Sequence, residues 1–148
     1  MADFCERLSE VLCPLAMEYS DSIAAGTHYS SYVSLANYHR AWLVLNVGDM
    51  ATLSTLDVQI MQATDTSGTG VKTITGKSIT QLTQAGGDGD DLICIELRTE
   101  ELDVTNGFDC ICVRVVASVA AVELGWVLFG CVPRFAAVAT TNWAEIVA

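Results

Sequence analysis

The sequence predicts an all-β fold, an antiparallel β-sandwich of the jelly-roll kind preceded by a short N-terminal helix or arm. From residue 32 onward the chain consists of short apolar runs rich in residues that favour strands. Turn signals such as Gly48-Asp49 and Asn106-Gly107 separate the runs at spacings typical of sandwiches. The two prolines, Pro14 and Pro133, leave the runs between them uninterrupted. Two stacked antiparallel sheets accommodate this pattern.

The first 28 residues are predicted to be an arm and a connection outside the sandwich. Residues Glu18 to Ser31 are polar and contain Gly26, which indicates an irregular connection. Before them, apolar residues recur at helical spacing, with Asp3 and Glu6 in the capping-box relation; these are Phe4, Leu8, Val11, Leu12 and Leu15. We therefore predict the arm and connection in residues 1–28 and a single β-sandwich domain in residues 29–148.

The apolar runs define the expected strands of that domain. Residues 56–60 alternate, so one face of this strand should be buried and the other should meet water or a partner. Residues 41–45 are apolar without alternation, which predicts burial on both faces. The C-terminal residues 140–147 are apolar enough to be tied down, as an edge strand or against a neighbouring subunit. The predicted strands are 32–36, 41–47, 56–63, 74–82, 92–98, 108–117 and 122–131.

Composition excludes several classes of partner. The chain has 7 basic and 18 acidic residues, a net charge of −11, so neither nucleic acid nor an anionic membrane surface is an expected partner. The apolar segment 115–133 contains Glu123 and two glycines, which favours two buried strands over a membrane span. No secretory signal is predicted at the acidic N-terminus. A hydrophobic content of 51% with 17% charged residues predicts a large buried interface.

Two glycine-rich segments superficially match ligand-binding motifs. Residues 70–78 end in Gly-Lys-Ser, but five residues separate the two glycines where a phosphate loop has four. Residues 86–93 match one copy of a calcium-binding repeat that needs several copies. We interpret this segment as an acidic loop, with an incidental calcium site on Asp88, Asp90 and Asp91 as the alternative.

The candidate catalytic and metal-binding residues do not form a recognisable site. The six cysteines contain no Cys-x-x-Cys pair and are predicted to be buried free thiols, with Cys110 and Cys112 on the same face of one strand. His28 and His39 lie in no triad motif. We therefore predict no enzyme activity, no catalytic residue, no metal site and no cofactor.

Several segments together resemble small virion proteins of tailed bacteriophages, and in function most nearly the head decoration, or cement, proteins of siphophage type. The resemblance extends over roughly residues 29–145 and consists of similar sequence in the predicted strands and turns, so it assigns no individual functional residue. It implies a β-sandwich or jelly-roll unit, a homotrimer, that sits on the capsid exterior after synthesis in the host cytoplasm and bridges subunits of the major capsid protein. The segments that resemble this family are 37–44, 56–65, 75–82, 96–104 and 107–109.

The sequence thus predicts a structural protein whose apolar termini make its contacts. A tail-associated or receptor-binding virion module of the same fold is the alternative, and a small hydrolase or carbohydrate-active enzyme is a third hypothesis of a different class. The residues predicted to lie at the interface are Phe4, Leu8, Leu12, Leu15, Trp143 and Ile146.

Overall fold

The computed structural model describes residues 7–135 and 142–147, which form ten strands, one single-turn α-helix and three short 3-10 helices, Gln84–Gly86, Thr99–Glu101 and Val104–Asn106. The α-helix is α1 (Leu8–Val11). The strands are β1 (Leu12–Ile23), β2 (Gly26–Tyr29), β3 (Val33–Ser34), β4 (Tyr38–Met50), β5 (Thr55–Ala63), β6 (Lys72–Ser78), β7 (Leu82–Thr83), β8 (Leu92–Arg98), β9 (Cys110–Ser118) and β10 (Val122–Pro133).

The strands form two antiparallel sheets with the nested pairing of a jelly roll. One sheet has four strands in the order β1-β10-β4-β8, and the other has the order β2-β9-β5-β6 with the short β3 and β7 alongside. Among the eight longer strands, the first therefore pairs with the last, the second with the seventh, the third with the sixth and the fourth with the fifth. This is a long antiparallel hairpin rolled onto itself, which confirms the predicted all-β sandwich and gives it jelly-roll topology.

Alternation along the strands places the core between the two sheets. In β5 every second residue from Leu56 to Ile60 is buried, as the sequence predicts. In β4 the inward side chains Leu43 and Leu45 are buried, while the outward Trp42 and Val44 are half-buried. The core contains leucine, isoleucine and valine from both sheets, so apolar burial holds the two layers together.

The predicted strands are found close to their expected positions, with one division. The run 74–82 forms two strands, β6 and β7, because residues 79–81 leave the sheet between them. Residues 70–78, which end in Gly-Lys-Ser, lie mostly in β6 and precede no helix. The acidic loop 85–91 connects β7 to β8, and the Asp88 carboxylate accepts a hydrogen bond from the Thr83 N–H at 2.8 Å.

The N-terminal region differs from the prediction. The helix stops after one turn, and Leu12 and Leu15 belong to β1 instead of continuing an apolar helical stripe. The predicted connection at residues 18–31 is also wrong, since it contains the end of β1 and all of β2. Pairing with β10 overrides the helical spacing. Pro14 fits because β1 is an edge strand, where the missing N–H leaves no ladder bond unmade.

Candidate interface on the four-stranded sheet

The solvent side of the four-stranded sheet, here called the outer face, is apolar across its middle. Met17, Val127, Val44 and Cys94 lie in cross-strand register from β1 to β8, and we call this set the central row. Val44 and Val127 are half-buried, whereas Met17 and Cys94 are exposed. An antiparallel sheet that meets only water normally carries polar residues on that side, so this row is typical of a contact surface.

An aromatic cluster lies in the next row of the outer face. The Trp42 and Phe129 rings are cross-strand neighbours with centroids 6.0 Å apart. Trp143 of the C-terminal segment packs on the other side of Phe129 at 6.2 Å. The Asn142 amide holds this segment in place by donating to the Pro14 carbonyl at 2.8 Å. Separations of this size with tilted rings are favourable for aromatic pairs, so the C-terminal segment is docked on the sheet.

Exposed apolar side chains extend the outer face beyond these rows. Tyr19 on β1 is 67% exposed, and Leu92 at the start of β8 is 74% exposed. Both strands are edges of the sheet, so these side chains border the central row on opposite sides. The apolar area therefore spans all four strands.

One end of the outer face is cationic, and we call it the cationic end. Arg40 on β4 lies directly opposite Arg98 on β8, an arrangement of like charges that is unfavourable in isolation. Arg134 joins them, since it donates to the Tyr38 carbonyl at 3.1 Å and to the Thr99 hydroxyl at 3.2 Å. In the part of the chain that the structure describes, the carboxylate that pairs with the Arg98 guanidinium is that of the exposed Glu100, at 3.4 Å. Arg40 has no carboxylate partner within 4 Å in the described part of the chain.

A groove of about 560 Å³ opens beside these arginines, at the boundary between the two sheets. Lys77 of the six-stranded sheet closes one side of it, donating to the Glu96 carbonyl at 2.8 Å and pairing with the Glu101 carboxylate at 2.9 Å. Donation from the Arg98 backbone N–H, followed by the bond from Lys77, holds the pKa of Glu101 below its ordinary value. Glu101 is therefore ionised at neutral pH and anchors Lys77 across the open edge of the sandwich.

The opposite end of the outer face is acidic, and we call it the acidic end. Glu123 on β10 lies over Gly48 of β4, its carboxylate oxygen 3.5 Å from where a glycine Cβ would stand. Asp49 follows Gly48, and the loop that carries Asp90 and Asp91 is hydrogen-bonded to the same stretch of β4 through Val47 and Gly48. All four carboxylates are exposed. The described residues at this end include no lysine or arginine.

The predicted interface residues are only partly brought together. Leu8 is 71% exposed on α1, whereas Leu15 packs against the core. Leu12 lies in register with Cys131, and Trp143 docks nearby on Phe129, so these two residues from opposite termini share one end of the outer face. Ile146 is 39% exposed in the C-terminal segment. Phe4 lies outside the described residues.

Sequence reasoning missed the main surface residues, Trp42, Val44, Val127, Arg40 and Arg98. One signal was available, because residues 41–45 are apolar on both faces of a strand at the centre of a sandwich. That pattern predicts a covered outer face but does not say what covers it. The pairing of Arg40 with Arg98 depends on which strands are neighbours, and the sequence does not show this.

The five cysteines in the described ranges do not form a common site. Cys13, Cys110 and Cys112 are buried as predicted, Cys131 is partly buried, and Cys94 is exposed, contrary to prediction. Burial raises the pKa of Cys131 to about 11, with Glu96 adding to the effect and Arg40 opposing it. Among the described residues no three histidine, cysteine or carboxylate groups are gathered as a metal site.

No protein-family model matches the sequence, and no curated protein matches it. A solved structure of infectious bursal disease virus, Gt strain, is similar over 86% of this chain and 44% of the viral chain, with a TM-score of 0.29 and 8% identity. The chain thus spans less than half of that viral chain, and a likeness this distant carries no argument about function.

Helix α1 has four residues. No helix in the described part of the chain is long and apolar enough to cross a bilayer. The apolar segment 115–133 runs through the end of β9 and all of β10, as two buried strands should.

Proposed function

We propose that this protein is a structural virion protein of a tailed bacteriophage that binds the capsid exterior as a decoration, or cement, protein. In this role it is a homotrimer and bridges subunits of the major capsid protein. The apolar outer face is the observation that carries the proposal, because a jelly roll with this much apolar area on its solvent side is built for association. The proposal includes no catalytic step and no cofactor.

A cement protein acts by mass action. It binds the assembled shell and not the dissociated capsid subunits, so every contact lowers the free energy of the shell relative to its parts. Many weak contacts suffice, because the shell presents the same site many times over. The net charge of −11 keeps such an apolar subunit dispersed until it meets the shell.

The N-terminal segment is the candidate contact to the capsid. Leu8 projects from the single-turn helix and is 71% exposed, although exposure of a leucine side chain to water is unfavourable. The segment precedes β1, the edge strand of the four-stranded sheet, so it can extend away from the sandwich without breaking a sheet pairing.

Co-sedimentation with undecorated capsids of a candidate phage tests the function. The expected result is saturable binding at a copy number that matches threefold or local threefold positions of the shell. The variant Leu8→Glu should bind weakly, and Leu53→Glu, an equally exposed leucine in the β4–β5 connection, should bind like wild type. Absence of binding by the wild-type chain would refute the cement role.

A receptor-binding or tail-associated module is the second candidate. The groove beside Trp42 favours it, since an aromatic ring flanked by arginines and carboxylates is a suitable site for a polar host ligand. Copy number in purified virions separates the two functions: cement occurs in hundreds of copies on the head, and a tail module in only a few.

A further inference from the structure

We propose that the outer face binds the same face of a second copy of this chain, in a two-fold contact whose axis runs along the central row, perpendicular to the strands. Each strand of the four-stranded sheet then faces itself in the partner. The contact joins copies in pairs, within or between larger assemblies, and the inference does not depend on binding to a capsid.

The register of the sheet supplies the geometry. Val44 of the central row lies four residues from Arg40 and four residues from Gly48, which is about 13 Å in either direction along an extended strand. A two-fold rotation about the row therefore places the cationic end of one copy over the acidic end of the other. The apolar middle of each face meets the apolar middle of its partner.

The charges of the two ends are complementary. The cationic end has three arginines against Glu96 and Glu100, with Glu101 already paired to Lys77. The acidic end has four exposed carboxylates and no described cation. The two-fold arrangement creates this favourable pairing twice. It supplies a carboxylate to Arg40, which has none within 4 Å in the described part of one subunit, and a second one to Arg98 beside Glu100.

The alternative face-to-face arrangement is unfavourable. An axis parallel to the strands would place the cationic end of one copy on the cationic end of the other, and the four carboxylates on four carboxylates. Opposed like charges disfavour an interface strongly, so charge selects the axis along the central row. Side-chain size favours the same axis. The cationic half carries the large side chains of Trp42 and Phe129, and the acidic half has the smaller Asn46 and Gly48 on β4.

The area indicates a reversible contact. Four strands spaced about 4.8 Å apart and eight residues of about 3.3 Å each cover about 500 Å² per copy. Two faces thus bury about 1,000 Å², near the lower limit for a specific interface. The isolated protein should therefore exchange between associated and dissociated forms with concentration.

Sedimentation velocity over a concentration series tests the contact with two reciprocal charge variants. The first, Arg40→Glu with Arg98→Glu, makes both ends acidic, and the second, Asp49→Arg with Glu123→Arg, adds cations at the acidic end. For each variant alone, the dissociation constant of self-association should be at least about tenfold higher than for wild type. An equimolar mixture should recover association, because each reversed end then faces an opposite charge. Arg114→Glu, on the outer side of the six-stranded sheet, is the matched control and should associate like wild type.

A second measurement uses Cys94, which the axis places opposite the partner's Cys94 between sheets packed about 10 Å apart. A short bismaleimide should crosslink wild-type pairs, and Cys94→Ser should abolish this product. The proposal is overturned if association is absent, or if the mixture shows no recovery while each variant is folded by circular dichroism. A trimer whose mass and stability are unchanged by either charge reversal overturns it as well, and leaves the cement function standing.

Discussion

Replacement of Gln62 by leucine should destabilise the protein although Gln62 is far from the outer face. This side chain is 5% exposed and points between the sheets from β5. Its Oε1 accepts a hydrogen bond from the Asp103 N–H at 2.8 Å, and its Nε2 donates to the Thr73 carbonyl at 3.2 Å. Gln62 thus connects β6 and the β8–β9 connection to the centre of the six-stranded sheet.

The expected magnitude follows from the two groups that Gln62→Leu leaves without a partner. Each partly buried backbone group without a hydrogen-bond partner destabilises the fold by about 1–3 kcal/mol, whereas burial of the leucine side chain stabilises it by about 1–2 kcal/mol. The free energy of unfolding should therefore fall by about 1–4 kcal/mol. For a domain of this size each kcal/mol lowers the Tm by about 2–4 °C, so we expect a decrease of about 2–16 °C.

Urea unfolding followed by tryptophan fluorescence measures the change directly, through the midpoint at constant m-value. Gln59→Leu is the matched control, because Gln59 lies on the same strand, is half-buried and points away from the core. The control should stay within about 0.5 kcal/mol of wild type, as is usual for substitutions outside the core. Equal unfolding midpoints for Gln62→Leu and Gln59→Leu would refute the reasoning that these two hydrogen bonds stabilise the fold.

Substitutions at three further positions have defined outcomes. The folded-state pKa of Glu101 lies below its unfolded value, so its stabilisation is present at neutral pH and lost as pH falls below about 4.5; Glu101→Gln should flatten the acid limb of a plot of urea midpoint against pH. Gly130→Ala should destabilise by about 1–3 kcal/mol in thermal unfolding, because the new Cβ would stand 2.8 Å from the Tyr38 ring. The indole N–H of Trp143 is buried without an acceptor in the described residues, so Trp143→Phe should leave the docking of the C-terminal segment unchanged or stabilise it. Native-state proteolysis of that segment measures this, and Trp143→Ala should increase cleavage.

Periodicity was sufficient to locate most strands of this fold. The alternation of residues 56–60 and the apolar run 92–98 correspond to β5 and β8, because packing against a core enforces a period of two. The same criterion failed for residues 8–15, where leucines at helical spacing belong mostly to an edge strand. A strand with a bulge, such as the one between Pro14 and Ala16, shifts its side chains between faces and erases the period of two.

The candidate interface was less predictable than the fold, because it is made from neighbours across strands. Arg40 and Arg98 are 58 positions apart in the sequence, and only the pairing of β4 with β8 makes them a cationic pair. The contact of the termini with a partner stays a prediction; within the subunit, Trp143 docks on the sheet that β1 borders. The residue that receives it, Phe129, gave no signal beyond lying in an apolar run.

The two sheets differ in how the chain covers their solvent sides, and this difference is the strongest reason to interpret the outer face as an interface. On the six-stranded sheet, the cross-strand neighbours Cys112 and Met61 point outward yet are at most 8% exposed. The chain places Tyr32 in hydrogen-bond contact with the Cys112 thiol. Gly68 admits that ring: a Cβ there would stand 2.6 Å from it. On the four-stranded sheet the described chain covers only the Phe129 region, and the central row stays open. The chain shields one apolar face with its own loops and leaves the other apolar face exposed. The exposed face is therefore available to a partner.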